Sequence, residues 1–203
     1  EITNPETGEI TRVKLFVAVL GHSNLTYAEA TRGETTSDWL SGQVRALDYF
    51  GGVPKKIVPD NPKALVTRAS RYDPDLNPSY QEFALHYSVA IVPARVRQPR
   101  DKAKVETAVQ VAERWVLARL RNQVFFALSN LNGAISVLVE EMNEKPFQKL
   151  PGSRRSRFEE NERSALSPLP DRPYAFSTWR KTKVHVDYHV EVEAHYYSVP
   201  HIH

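Results

Sequence analysis

The chain has 203 residues, 41% apolar and 25% charged, enough for one substantial core plus an appendage and unlike a disordered or fibrous composition. Its 27 Lys and Arg against 24 Asp and Glu leave a formal charge of +3, a lean towards a polyanionic partner that an ordinary surface also explains. Cysteine is absent, which excludes disulfides and thiolate metal sites and suits a reducing compartment; no run of about eighteen apolar residues and no basic-then-apolar leader points to a membrane or to secretion.

In chain order, Asn4-Pro5-Glu6-Thr7-Gly8 is turn chemistry, and because a turn joins two elements, a further element is expected before Glu1. The β-branched run from Thr11 to Leu20 and the stretch from Leu25 to Ala30 flank Gly21-His22-Ser23-Asn24 and predict a hairpin. Trp39, Leu40, Val44, Leu47 and Phe50 recur at helical spacing between a Thr or Ser cap and the pair Gly51-Gly52. A short central strand ends near Val58, and a helix follows with Asn77 as its cap and Pro78 at its first position. Ser88 to Ala94 reads as a buried strand, Asp101 to Asn122 as a long helix striped by Val105, Val109, Ala112, Val116 and Leu120, and Ser129 to Asn143 as another helix. The order predicts a mixed α/β sheet covered by helices.

After Pro146 the texture changes to Pro, Ser and Arg, and residues 146–176 read as an extended connector with a short helix near Ser153 to Asn161. Val184, Val186, Tyr188, Val190 and Val192 then alternate with polar residues, so residues 177–203 read as the beginning of a small β-barrel-type domain with a hairpin around Glu193-Ala194 and "HIH" as the start of a further strand. Residues 1–145 form the first domain on this reading. His185, Asp187 and His189 share one face of that alternation, which explains them as its outward side more simply than as metal ligands. Trp115, Phe125 and Phe126 read as core or partner-packing residues, and no glycine-rich phosphate loop is present.

Two acids stand out. Asp60 follows an apolar strand, at the carboxyl end where α/β sheets gather their chemistry, although Asp60-Asn61-Pro62 is also plain turn chemistry. Glu106 lies in the first turns of the long helix, where the macrodipole alone would favour a glutamate. Together they could share hard cations such as Mg²⁺ or Mn²⁺, two of which activate an attacking oxygen and stabilise a leaving one in phosphoryl transfer. Lys55 and Lys56 precede the first acid, and Arg95, Arg97, Arg100, Lys102 and Lys104 lead up to the second; they suit a phosphate backbone or a solvated loop. Arg154, Arg155 and Arg157 could likewise follow DNA or simply solubilise a surface helix.

These residues carry a resemblance. Leu15 to Glu113 resembles the ribonuclease-H-like catalytic core of DDE transposases and retroviral-type integrases, and "YFGGVPKKIVPDN", "QPRDKAKVETAVQVAERW" and "PFQKLPGSRRSRFEE" are similar to the IstA family of insertion-sequence transposases. The resemblance implies Asp60 and Glu106 as the second and third catalytic and metal-binding carboxylates, with the first Asp on a strand preceding Glu1; Asp38 comes too late to replace it. It also implies two Mg²⁺ or Mn²⁺ ions, transposon-end and target DNA as partners, 3′-end cleavage followed by strand transfer, and a homo-oligomer on paired ends. Upstream helix-turn-helix domains, a helper AAA+ ATPase and a bacterial cytoplasmic, nucleoid-associated location complete the expectation. Pro62 where integrases have Gly, Lys-Ala-Lys-Val before Glu106, and the long interval between the acids depart from integrases in general and fit the IstA type. A DNA-binding or assembly module without chemistry, and a nuclease on the same fold, are the alternatives.

Overall fold

The computed structural model describes residues 1–59, 66–68, 75–92, 99–177, 182–192 and 194–200. Strands β1 (Ile2–Thr3) and β2 (Ile10–Thr11) pair antiparallel around the predicted turn. There the Asn4 side-chain oxygen accepts the N–H groups of Glu6 and Thr7, and Gly8 takes the left-handed conformation, φ +71°, that lets the chain double back.

The predicted hairpin is formed by β3 (Lys14–Val19) and β4 (Thr26–Thr31), paired antiparallel from Lys14 opposite Thr31 to Val19 opposite Thr26. Pleating alternates their side chains. Phe16, Ala18, Leu20, Leu25 and Tyr27 pack on one face, and Leu15, Val17, Ala28 and Ala30 on the other. Both faces are apolar because both are covered by helices, so this ribbon lacks the polar face of a solvated hairpin.

Helix α1 (Thr36–Phe50) covers the first face. Thr35 and Asp38 close a reciprocal capping box at its start, and Gly51 ends it at φ +70°. Leu40 and Leu47 reach a second core with β5 (Lys56–Ile57), β8 (Ala90–Ile91) and the intervening helix α2 (Pro78–His86), whose Tyr80 and Phe83 are fully buried. Trp39 packs against both cores. Asn77 caps α2 with Pro78 in its first turn, as predicted. A short antiparallel pair, β6 (Val66–Arg68) with β7 (Asp75–Leu76), lies between β5 and α2 in the sequence, beyond the elements the sequence pattern predicts.

The other face of β3 and β4 is covered by α3 (Pro99–Leu120) and α4 (Leu128–Glu144), through Val116, Leu131, Ile135 and Val139. Trp115 fixes the two helices together: its ring nitrogen donates to the Leu138 carbonyl at 2.9 Å, and the cations of Arg119 and Lys145 lie 4.1 and 4.5 Å from its ring. Phe125 joins this core, whereas Phe126 is exposed.

Residues expected as a connector run along the core. Helix α5 (Arg154–Asn161), capped by Ser153, buries Phe158 beside Phe50 and Leu25. Ser167 exchanges both main-chain hydrogen bonds with Val53, and Tyr174 stacks edge-on against Phe83. Beyond it, β9 (His189–Val192) and β10 (His195–Ser198) form the hairpin expected around residues 193 and 194. The strand begins five residues later than the alternation from Val184 predicted. Tyr188 adopts φ +61° and donates its N–H to the His185 carbonyl, so the chain turns there and Val184 and Val186 stay exposed. This hairpin is open, and no barrel closes among the described residues. No helix among them is long and apolar enough to cross a membrane.

Candidate active site

Parallel pairing sets the geometry of the candidate site. Ile57 of β5 lies opposite Ile91 of β8, and the Val92 N–H donates to the Ile57 carbonyl at 2.9 Å. Because the two strands run the same way, their carboxyl ends lie side by side, at the edge where open α/β sheets place their ligands. From one end the chain continues towards Asp60; from the other it continues into α3, which carries Glu106. Asp60 itself lies outside the described residues.

Glu106 is exposed. Helix α3 starts at Pro99, earlier than the predicted Asp101, which puts Glu106 about two turns inside the helix rather than at its start. A macrodipole benefit fades beyond the first turn, so helix electrostatics alone do not account for this glutamate. On the same helix Ala112 and Val116 are fully buried, which fixes its apolar side against β3, β4 and α4.

The basic residues distribute unevenly. Lys55 and Lys56 are exposed at the amino end of β5. Arg95 and Arg97 lie outside the described residues; Arg100, Lys102 and Lys104 belong to the first turns of α3, with side chains outside the description. Arg154 and Arg155 are half-buried and turned inward. Arg154 donates to the Met142 carbonyl at 3.0 Å and lies 5.2 Å from the Phe147 ring, and burial pulls its guanidinium below the usual arginine range. Arg155 donates to Glu140 at 2.6 Å and to the Tyr49 hydroxyl at 3.0 Å. Arg157 is half-buried on the same helix. Two of the three arginines therefore spend donors on docking α5, a role invisible in the sequence because Met142, Glu140 and Tyr49 belong to other helices.

Among the described residues no three His, Asp or Glu side chains come together as a metal site. Asp187 and His189 approach to 3.4 Å in the C-terminal hairpin. A cavity of about 360 Å³, floored by Leu15, Val116, Leu120 and Leu131, opens against the last turns of α3. It lies roughly 20 Å along the helix from Glu106, too far to be the same site.

The fold is that of a retroviral integrase catalytic core. The HTLV-2 integrase catalytic core domain, solved in complex with magnesium in a trimeric form, superimposes with a TM-score of 0.54 at 19% identity, covering 71% of this chain and 84% of that one. The relatives by sequence are more specific. The chain is 54% identical to "Putative transposase for insertion sequence IS408" of Burkholderia multivorans over 92% of its own length and 36% of the relative's. It is 52% identical to the corresponding IS1162 protein of Pseudomonas fluorescens, over 98% of its length and again 36% of the relative's. Residues 169–203 match the family described as Mu transposase, C-terminal domain. The close homologues of this chain are thus insertion-sequence transposases, and it spans about a third of their length.

Proposed function

We propose that this chain is the catalytic part of a transposase that cleaves DNA at a transposon 3′ end and joins that end to target DNA. The observation that carries this reading is its high identity to insertion-sequence transposases on an integrase-core fold, with the chain segments leading to Asp60 and Glu106 leaving adjacent strand ends.

Asp60 and Glu106 offer oxygen donors, the donor set that fits Mg²⁺ or Mn²⁺, and these two residues would hold the ions. Bound there, such ions would activate the attacking oxygen and stabilise the leaving one. The first acid of the set is expected on a strand beside β3. Asn143 and Asn132 of α4 bond the main chain of Thr26 and Ala30, so those groups point away from β3. By the antiparallel register, Leu15, Val17 and Val19 turn their main-chain groups away from β4, towards the side on which such a strand would pair.

Lys55, Lys56, Arg95, Arg97, Arg100, Lys102, Lys104 and Arg157 are the proposed contacts to the DNA backbone, with Arg154 and Arg155 serving mainly to seat α5. Oligomerisation has a parallel in the HTLV-2 core, solved in trimeric and dimeric forms, while paired ends, a helper AAA+ ATPase and nucleoid association rest on the family resemblance. Residues 1–145, 146–176 and 177–203 serve as catalytic core, connector and C-terminal module.

The test uses a full-length transposase carrying this chain and a transposon end with its 3′ hydroxyl already exposed. Asp60→Asn and Glu106→Gln should each lower joining by about a thousandfold or more while DNA binding persists. Joining that survives both substitutions would overturn the site assignment. A wild-type enzyme that hydrolyses DNA but never joins would instead be a nuclease on this fold.

A further inference from the structure

We infer that Glu162 is the pin of a latch that holds residues 163–176 against the core and so fixes where the chain departs for the β9–β10 hairpin. Its carboxylate sits on the turn between β3 and β4, about 140 residues away in sequence. One oxygen accepts the His22 N–H at 3.0 Å; the other accepts the Ser23 N–H at 2.9 Å and the Ser23 hydroxyl at 2.5 Å. Three donors converging on one carboxylate are charge-assisted bonds, individually stronger than neutral ones. Ser23 is fully buried and also receives the Leu25 N–H, so the turn that holds Glu162 is itself braced by an internal hydrogen bond.

Downstream of the pin, the strap lies on backbone made to receive it. A Cβ on Gly52 would come within 2.7 Å of the Leu166 Cβ and 2.9 Å of the Ser167 carbonyl, so only glycine allows this approach. Ser167 and Val53 then exchange hydrogen bonds of 2.8 and 2.9 Å. At the far end the Arg172 carbonyl meets the His86 ring nitrogen at 2.9 Å. The Tyr174 N–H donates to the Tyr87 hydroxyl, and the Tyr174 hydroxyl donates to the Ser79 carbonyl. The strap thus reaches α2 by a fixed path, and the hairpin follows it. This device is independent of the proposed chemistry.

Two substitutions test it from opposite sides. Glu162→Gln places an amide N–H₂ against N–H and O–H donors; Gly52→Ala lifts the strap while leaving every strap residue in place. Hydrogen exchange on the 203-residue chain should show the Ser167 and Tyr174 amides exchanging about tenfold faster or more in both variants, with the Thr26 and Ala30 amides still protected. The chain has no cysteine of its own, so spin labels on Asp48→Cys and Tyr197→Cys report the position of the hairpin directly. Their distance distribution should broaden in both variants. The inference is overturned if Glu162→Gln leaves Ser167 and Tyr174 exchange unchanged, if Thr26 and Ala30 lose protection equally, or if the unaltered chain already shows as broad a distribution as the variants.

Discussion

Asn143 of α4 returns both main-chain hydrogen bonds of Thr26 in β4: its side-chain oxygen accepts the Thr26 N–H at 3.1 Å and its amide donates to the Thr26 carbonyl at 2.8 Å. Three turns earlier Asn132 does the same for Ala30. Two asparagines on one helix thus stand in for a neighbouring strand and close this edge of the ribbon against further pairing.

Replacing Asn143 by Ala should therefore be costly. Thr26 and Asn143 are both buried, so two main-chain groups would be left without partners at about 1–3 kcal/mol each. A loss of about 2–4 kcal/mol in urea unfolding is expected, and a smaller loss for Asn132→Ala at its less buried position.

Gly42→Ala sets two effects against each other. Alanine favours a helix interior over glycine by about 1 kcal/mol, but a Cβ there would lie 3.0 Å from the Phe16 ring. Phe16 is buried and its ring also meets Trp39 edge-on at 5.3 Å, so it has little room to retreat. Overpacking of about 1–3 kcal/mol should win, and the variant should melt below the unaltered protein despite its better helix former.

Alkaline pH should loosen the seam between α1, α4 and α5. Burial, reinforced by the hydrogen bond to Glu140, pushes the Tyr49 phenol up to about 12. The fold therefore favours the protonated form. Its contribution is fully present below the ordinary tyrosine value near 10 and is lost as pH rises from there through about 12. Tyr27 is raised further, by burial and by the neighbouring Glu29, and adds loss in the same direction. Stability followed against pH should decline from about pH 10, and Tyr49→Phe should make that decline shallower.

The proposed DNA contacts make a salt prediction. If Arg100, Lys102 and Lys104 each neutralise a phosphate, replacing one by Ala should reduce the slope of log binding constant against log salt by roughly 0.9. Weakening should be uniform across DNA sequences, because phosphate contacts carry no base information. An unchanged slope would remove that residue from the interface.

Much of the fold is written in short-range chemistry. The Asn4 turn, the hairpin through Ser23 and Asn24, the Thr35 cap with Gly51 at the far end of α1, and the Asn77-Pro78 start of α2 rest on bonds between residues a few positions apart, and each is legible in a window of about a dozen residues. Of the candidate site, the same window reveals the two acids and their basic neighbours; the roles proposed for them rest on the family resemblance. It misreads the run from Val184, where a left-handed Tyr188 breaks a pattern that looks like one strand.

Tertiary structure alone decides the rest, because those contacts join residues far apart in sequence. Asn132 and Asn143 read locally as poor helix residues, yet they complete the edge of a strand more than a hundred residues earlier. Arg154 and Arg155 read as DNA contacts or as part of a solvated surface helix, yet they dock α5, and Glu162, which no motif singles out, holds the strap. The adjacency of the chain ends leading to Asp60 and Glu106 follows from a parallel pairing between strands of two residues each, too short to announce their partners. A polar side chain's role depends on which main-chain groups folding leaves beside it, and that is set by the packing of distant elements rather than by its neighbours in the chain.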